Sequence, residues 1–285
     1  MKTKYFFVGL YSILMFAIIS RMVQIIDYTG KKTGFFTKSS STFFSLIILF
    51  LLLFSSSLSF LVKRCPLKFP KVRTVTSFTS LLVGFSLLLR LFSIYQKVGF
   101  SLTSPQYLVE ALFTIATCLF FFAYTAKRLF SFHIKRIFYV IPLIYWLFML
   151  VLSYIRISRM ALIAENALMI LATCSTAMFF LYFAKIANGI KTQASKQKIL
   201  LFFGSLSVLF CETFAFPQIF YNLSEKPNVV HNDVSFMLVY LATGIFVASF
   251  LGTFFSERNL LKRKHHISGS ERILPTDIND VNNEI

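Results

Sequence analysis

Arg90 and Glu212 are the two ionisable residues that fall deep within apolar runs of this sequence, and Pro217 comes after Glu212 within about a turn and a half of helix. A charge inside a bilayer is costly, so each of these residues needs either a partner or a task. Two kinds of chemistry fit. Arg90 and Glu212 at equal depth would pair in a bundle interior, or each would satisfy itself by snorkelling. Alternatively the planar fork of Arg90 grips a carboxylate or phosphate group of a small anionic ligand in an outward-facing pocket. In a small-solute transporter, Arg90, Glu212 and Pro217 would then form a gated site.

The elements that must hold these residues can be read from composition. The chain of 285 residues is 56% hydrophobic, 18% aromatic and only 14% charged, with a mean hydropathy of +0.72. Soluble domains sit near about 45–50% apolar and roughly 25% charged, so the surplus must face lipid. Eight apolar runs, each about long enough to cross a ~30 Å hydrocarbon core as a helix, extend from Tyr5 to Ile26, Phe43 to Val62, Val75 to Tyr95, Tyr107 to Thr125, Ile137 to Ile155, Ala167 to Ala184, Ile199 to Phe220 and Phe236 to Phe255. The expected architecture is an all-α polytopic transmembrane bundle over residues 1–255. Residues 256–285 are polar, with a basic head and an acidic, Asn-rich end, and read as a disordered cytoplasmic tail.

Lys and Arg gather in alternate connections, among them Lys63 to Arg73, Lys127 to Arg136, Lys185 to Lys198 and the segment after Ser256. That asymmetry puts both termini in the cytoplasm and leaves three cytoplasmic-side hairpins flanked by single helices. One connection disobeys: "DYTGKKTGFFTK" carries three lysines on what should be the outer face. Lys2 and Lys4 before an apolar stretch admit a signal peptide. Yet the region around Ala17 lacks a small-x-small cleavage site and Arg21 interrupts the apolar run beyond it, so the first span reads as a retained helix. In this threading Arg90 lies about fifteen residues, or roughly 22 Å, from the cytoplasmic start of its span, and Glu212 about fourteen residues from the start of its own. No other charge is expected as deep. If the two pair, reversing both charges together restores more stability than either reversal alone.

The net charge of +18 resides in the connections rather than on one soluble face, which points to an anionic membrane surface and not to nucleic acid. The four cysteines include no CxxC; Cys118, Cys174 and Cys211 fall inside apolar runs, so neither a disulfide framework nor a metal site is expected. Glu110 and Glu165 begin spans, where a carboxylate complements the helix dipole, and both read as capping residues. Pro142 and Pro217 are expected to kink the fifth and seventh helices. No HExxH, GxSxG, GxGxxG or P-loop occurs, no aspartate lies within a span, and the four histidines fall in connections or the tail. The expectation is a protein that is not an enzyme and takes no cofactor.

Ala111, Leu112, Ala116, Thr117 and Cys118 return fifty-six residues later as Ala167, Leu168, Ala172, Thr173 and Cys174. Each copy opens near a glutamate and closes on Ala-Lys, which is compatible with duplication or with a shared apolar alphabet. The Ala-Thr-Cys triplets are expected to let helix backbones approach closely.

The sequence carries two resemblances. Pro217-Gln218 before a charged loop resembles the PQ-loop motif of a family of small solute carriers, but it occurs once and its loop should lie outside, where that family places it inside. More broadly, "TGFF" at Thr33, "IPLIYWLF" at Ile141, "FFLYFAK" at Phe179 and "FFGSLSVLFCETFAFPQIF" at Phe202 resemble a group of bacterial multi-pass membrane proteins with no assigned activity. That resemblance implies architecture only, and Gln218 stands where the group suggests a basic residue. The leading expectation is recognition of a small ligand, lipid or membrane partner through the outer half, and the alternative is the transporter built around Arg90 and Glu212.

Overall fold

A helix that crosses lipid satisfies its backbone internally and can turn apolar side chains outward, and this protein is assembled from such helices. The computed structural model describes residues 3–27, 46–55, 73–98, 105–130, 134–158, 164–189, 194–223 and 233–270, with no strand among them. The helices are α1 (Thr3–Asp27), α2 (Leu46–Ser55), α3 (Thr74–Val98), α4 (Pro105–Leu129), α5 (Ile141–Ser158), α6 (Ala164–Ala187), α7 (Ala194–Leu223) and α8 (Val234–Ser270), and a 3-10 turn over Arg136–Val140 leads into α5. Seven of them, all except α2, are long and apolar enough to cross a membrane. The chain is an all-α polytopic bundle of the membrane-protein type.

The second expected span contains α2, and its remaining residues lie outside the described ones, as does nearly all of the lysine-bearing connection before it. Of the segment expected to be a tail, the backbone of α8 continues to Ser270 and residues 271–285 lie outside the described part. Pro142 does not kink α5. It is the second residue of that helix, where its missing N–H would have no intrahelical partner in any case. Pro217 does lie inside α7, which runs on past it to Leu223.

Within the bundle α3 packs against α4 and α8, α5 against α4 and α6, α7 against α6 and α8, and α1 against α7. The lipid-facing logic is plain in α3. Val75, Phe78, Phe85 and Phe92 are exposed while Ser77, Ser80, Ser86 and Arg90 are buried, so its polar side turns inward. That side meets α4 in a ladder of small polar groups. Thr125 Oγ1 donates to the Ser77 carbonyl at 3.1 Å, Ser80 Oγ to the Phe121 carbonyl at 2.8 Å, and Cys118 Sγ to the Gly84 carbonyl at 3.4 Å. Hydrogen bonds and close backbone approach replace the hydrophobic drive that lipid removes. On its other flank α3 meets α8 through the Thr79 and Ser249 hydroxyls, 2.6 Å apart.

Aromatic rings fill the middle. Phe246 of α8 touches Phe121 and Tyr124 of α4 and Phe180 and Phe183 of α6, with centroids 5.3, 5.9, 6.3 and 6.4 Å away. The two similar segments, α4 and α6, therefore converge on one residue of α8. Their triplets do unequal work: Cys118 bonds across to α3 and Thr173 pairs with the Tyr240 hydroxyl at 2.7 Å, but Cys174 is exposed. Truncating a buried phenylalanine removes its contacts and leaves a cavity. Phe246→Ala is expected to cost about 3–5 kcal/mol in detergent unfolding titrations, and a loss below about 1 kcal/mol would mean these rings contribute little.

Candidate functional site

The α3–α4 ladder runs in a constant antiparallel register, and its last rung is ionic. Arg90 succeeds Ser77, Ser80 and Gly84 on the inward face of α3, and the facing residue on α4 is Glu110. Arg90 donates to Glu110 Oε1 from Nε at 3.0 Å and from Nη2 at 2.5 Å. Its third nitrogen, Nη1, donates to Asp233 Oδ2 at 3.1 Å. The guanidinium also lies 5.1 Å from the centroid of the Phe236 ring, one turn into α8, so a cation–π contact closes its remaining side.

Asp233 has several tasks at once. It precedes α8, its Oδ1 accepts the backbone N–H of Ser235 at 3.1 Å, and its carbonyl accepts that of Phe236 at 2.9 Å, which is the geometry of an N-cap. Its Oδ2 takes both Arg90 and the hydroxyl of Ser93. One guanidinium thereby joins α3, α4 and the start of α8. The members differ in access: the side chains of Arg90 and Glu110 are 5% and 2% exposed, that of Asp233 19%. Tyr145 of α5 stands within electrostatic reach of Arg90 and Glu110. Thr114, one turn beyond Glu110, bonds the Glu110 carbonyl at 2.6 Å.

These contacts correct the sequence reading in three places. Arg90 and Glu212 do not pair: the residue that Arg90 holds on α8, Asp233, and the residue that Glu212 touches there, Gly244, are eleven residues apart, about 16 Å along the axis. Depths counted from the ends of apolar runs assumed that all spans start in one plane, and α3 and α7 are staggered. Glu110 is no cap. It lies five residues past Pro105, in the second turn of α4, where it faces Arg90. A third deep charge also exists, since Arg21 of α1 is fully buried and donates to Gln24 Oε1 at 2.5 Å. The spacing of Arg21 and Gln24, three residues apart on one helix face, was the signal that would have found them. Glu165, the other residue read as a cap, has no described side chain.

No protein-family model matches this chain, and neither a curated protein nor a solved structure matches it significantly. The bacterial likeness thus has no family model behind it.

Glu212 and Pro217 form a second locus on α7, apart from Arg90; both are buried. Among the described residues no three histidine, cysteine or acidic side chains gather as metal ligands. The polar chemistry at Arg90 is that of a clamp with one deeply buried acid, Glu110, and one more accessible acid, Asp233. Removing either member of its buried half leaves an uncompensated charge. Arg90→Met and Glu110→Gln are each expected to destabilise the bundle by about 3–5 kcal/mol. A double-mutant cycle read by detergent unfolding should show coupling of Arg90 with Glu110 and none with Glu212; equal couplings would refute the assignment.

Proposed function

We propose that this protein is a non-enzymatic component of the cell membrane, with both termini cytoplasmic, that recognises a small anionic ligand, a lipid headgroup or a membrane partner in its outer half. The observation that carries the reading is the uneven division of Arg90 between a buried anchor, Glu110, and a more accessible competitor, Asp233. A carboxylate or phosphate arriving from the α8 end can replace Asp233 at Nη1 while the two bonds to Glu110 persist, so the arginine never loses its counter-charge. Displaced, Asp233 no longer aims its Oδ2 at Arg90 and Ser93, and the start of α8 is freed from α3. Because α8 packs on both α3 and α7, recognition at this point reaches the rest of the bundle. The proposed orientation is supported by the Lys- and Arg-rich alternate connections.

A small-solute transporter is the second reading, and the observation favouring it is a buried carboxylate, Glu212, close to a proline within a spanning helix. It predicts substrate-dependent flux in proteoliposomes, which the first reading does not.

The test of the first reading is native mass spectrometry of the protein taken gently from its own membrane. Asp233→Asn removes the competing charge and is expected to retain an anionic molecule more tightly than the parent, by about tenfold for each ~1.4 kcal/mol of competition relieved. Arg90→Gln should lose it. If neither the parent nor Asp233→Asn carries an anionic molecule, and phosphate and carboxylate probes leave their thermal stability unchanged, the recognition site is not at Arg90.

A further inference from the structure

Glu212 lies against Gly244 of α8 so closely that a Cβ on that glycine would stand 2.6 Å from Glu212 Oε1. Its side chain is buried, and among the described residues neither a cation nor a hydrogen-bond donor reaches its carboxyl group. A bare carboxylate in this position is far costlier than the clamped acids at Arg90.

The surroundings repeat the anomaly. Several buried threonines elsewhere in the bundle bond the carbonyl one turn back, as Thr114 does to Glu110 at 2.6 Å and Thr176 to Ala172 at 2.7 Å, although Thr76 of α3 does not. Thr213, next to Glu212, and Thr243, next to Gly244, do not: both hydroxyls are buried without a partner. Gln218 is 1% exposed and neither atom of its amide is bonded. Pro217 adds a fourth oxygen, since it lacks the N–H that the Thr213 carbonyl would accept in a regular helix. Beside the carboxyl group of Glu212, the α7–α8 seam thus holds two hydroxyls and a freed carbonyl with no protein partner among the described residues, while Gln218, seven residues from Cys211 and so on its face of α7, is a further unbonded group. The nearest thiol, Cys211, is already engaged by Thr176 and Ser207 of the α6–α7 contact.

Oxygen donors without nitrogen or sulfur suit a hard cation. A single carboxylate balances a single positive charge, whereas a divalent ion would leave net charge in the membrane interior. We propose that Glu212 is the anionic ligand of a buried site for a sodium-sized monovalent cation, completed by oxygens of Thr213 and Thr243 in the α7–α8 seam. This site is separate from the Arg90 clamp and does not depend on the reading given to it. Protons compete for the same carboxylate, so ion binding weakens as the medium is made acid. The titratable groups that feel the Glu212 charge are Tyr11 of α1 and Cys211 of α7; α8 brings Gly244 with Thr243 beside it, and α6 engages the neighbouring face through Thr176.

The test is thermal unfolding of the purified full chain in detergent, in sodium chloride and in equimolar choline chloride. Sodium is expected to raise the unfolding temperature of the parent saturably at neutral to alkaline pH, with the gain disappearing in acid. Glu212→Gln should remove the response. Thr243→Val, which leaves every charge in place, should raise the half-saturating sodium concentration several-fold and keeps the test decisive if Glu212→Gln fails to fold. A parent with the same unfolding temperature in sodium, lithium and choline overturns the proposal, and so does a sodium response that persists in Glu212→Gln or is untouched in Thr243→Val. A response to pH alone that depends on Glu212 would mark a proton site and overturn the ion assignment.

Discussion

A guanidinium in an apolar bundle has to be surrounded by acceptors, and the arrangement of α3, α4 and α8 results from meeting that demand at Arg90. Glu110 takes two of its nitrogens, Asp233 takes the third, and Phe236 covers a face of the cation. None of these groups is near Arg90 in sequence, so the helices that bear them must be adjacent, antiparallel and correctly staggered before the charge is tolerable. Once they are, the charge becomes a restraint on sliding. Moving α4 by one turn along α3 would carry Glu110 about 5.4 Å from its partner and strand both ions.

The rest of the α3–α4 seam agrees with that register. Hydroxyl and thiol groups of Ser77, Ser80, Cys118 and Thr125 reach backbone carbonyls across the interface at matching levels. Each such bond is individually worth little, roughly 0.6 kcal/mol on average between membrane helices. Their shared value is that only one stagger satisfies all of them together with the ion pair. Packing in the centre is less directional: Phe246 meets four rings from α4 and α6, and aromatic surfaces interlock where small residues elsewhere let backbones approach.

The buried hydroxyls of Thr76 and Ser235 also lack partners, but the α7–α8 seam around Glu212 stands out because its unbonded hydroxyls flank a carboxyl group. Bonds to the protein account for the hydroxyls of Thr79, Thr114, Thr173 and Thr176, yet those of Thr213 and Thr243 are left over beside the one described carboxyl group that no cation meets. In a low-dielectric interior, unbonded polar groups beside a carboxyl group are costly. Pro217 belongs to the same place for a covalent reason, because its ring nitrogen has no hydrogen to give.

Apolar runs bounded by basic connections were enough, from sequence alone, to establish a membrane bundle and to locate Arg90, Glu212 and Pro217 as its anomalies, because hydropathy is a local property and a spanning helix needs only its own residues to satisfy its backbone. Seven of the eight expected spans coincide with long apolar helices. Partnership was a different matter. Glu110 reads as a cap and Asp233 as a loop charge until the helices are set beside one another, and Arg21 reads as an interruption of an apolar run until it is seen buried against Gln24. Which acid meets Arg90 depends on the axial stagger between helices, and stagger is decided by interhelical contacts between residues far apart in the chain. Depth along a single helix can be counted from the sequence, but the level at which two helices meet is decided only when they pack.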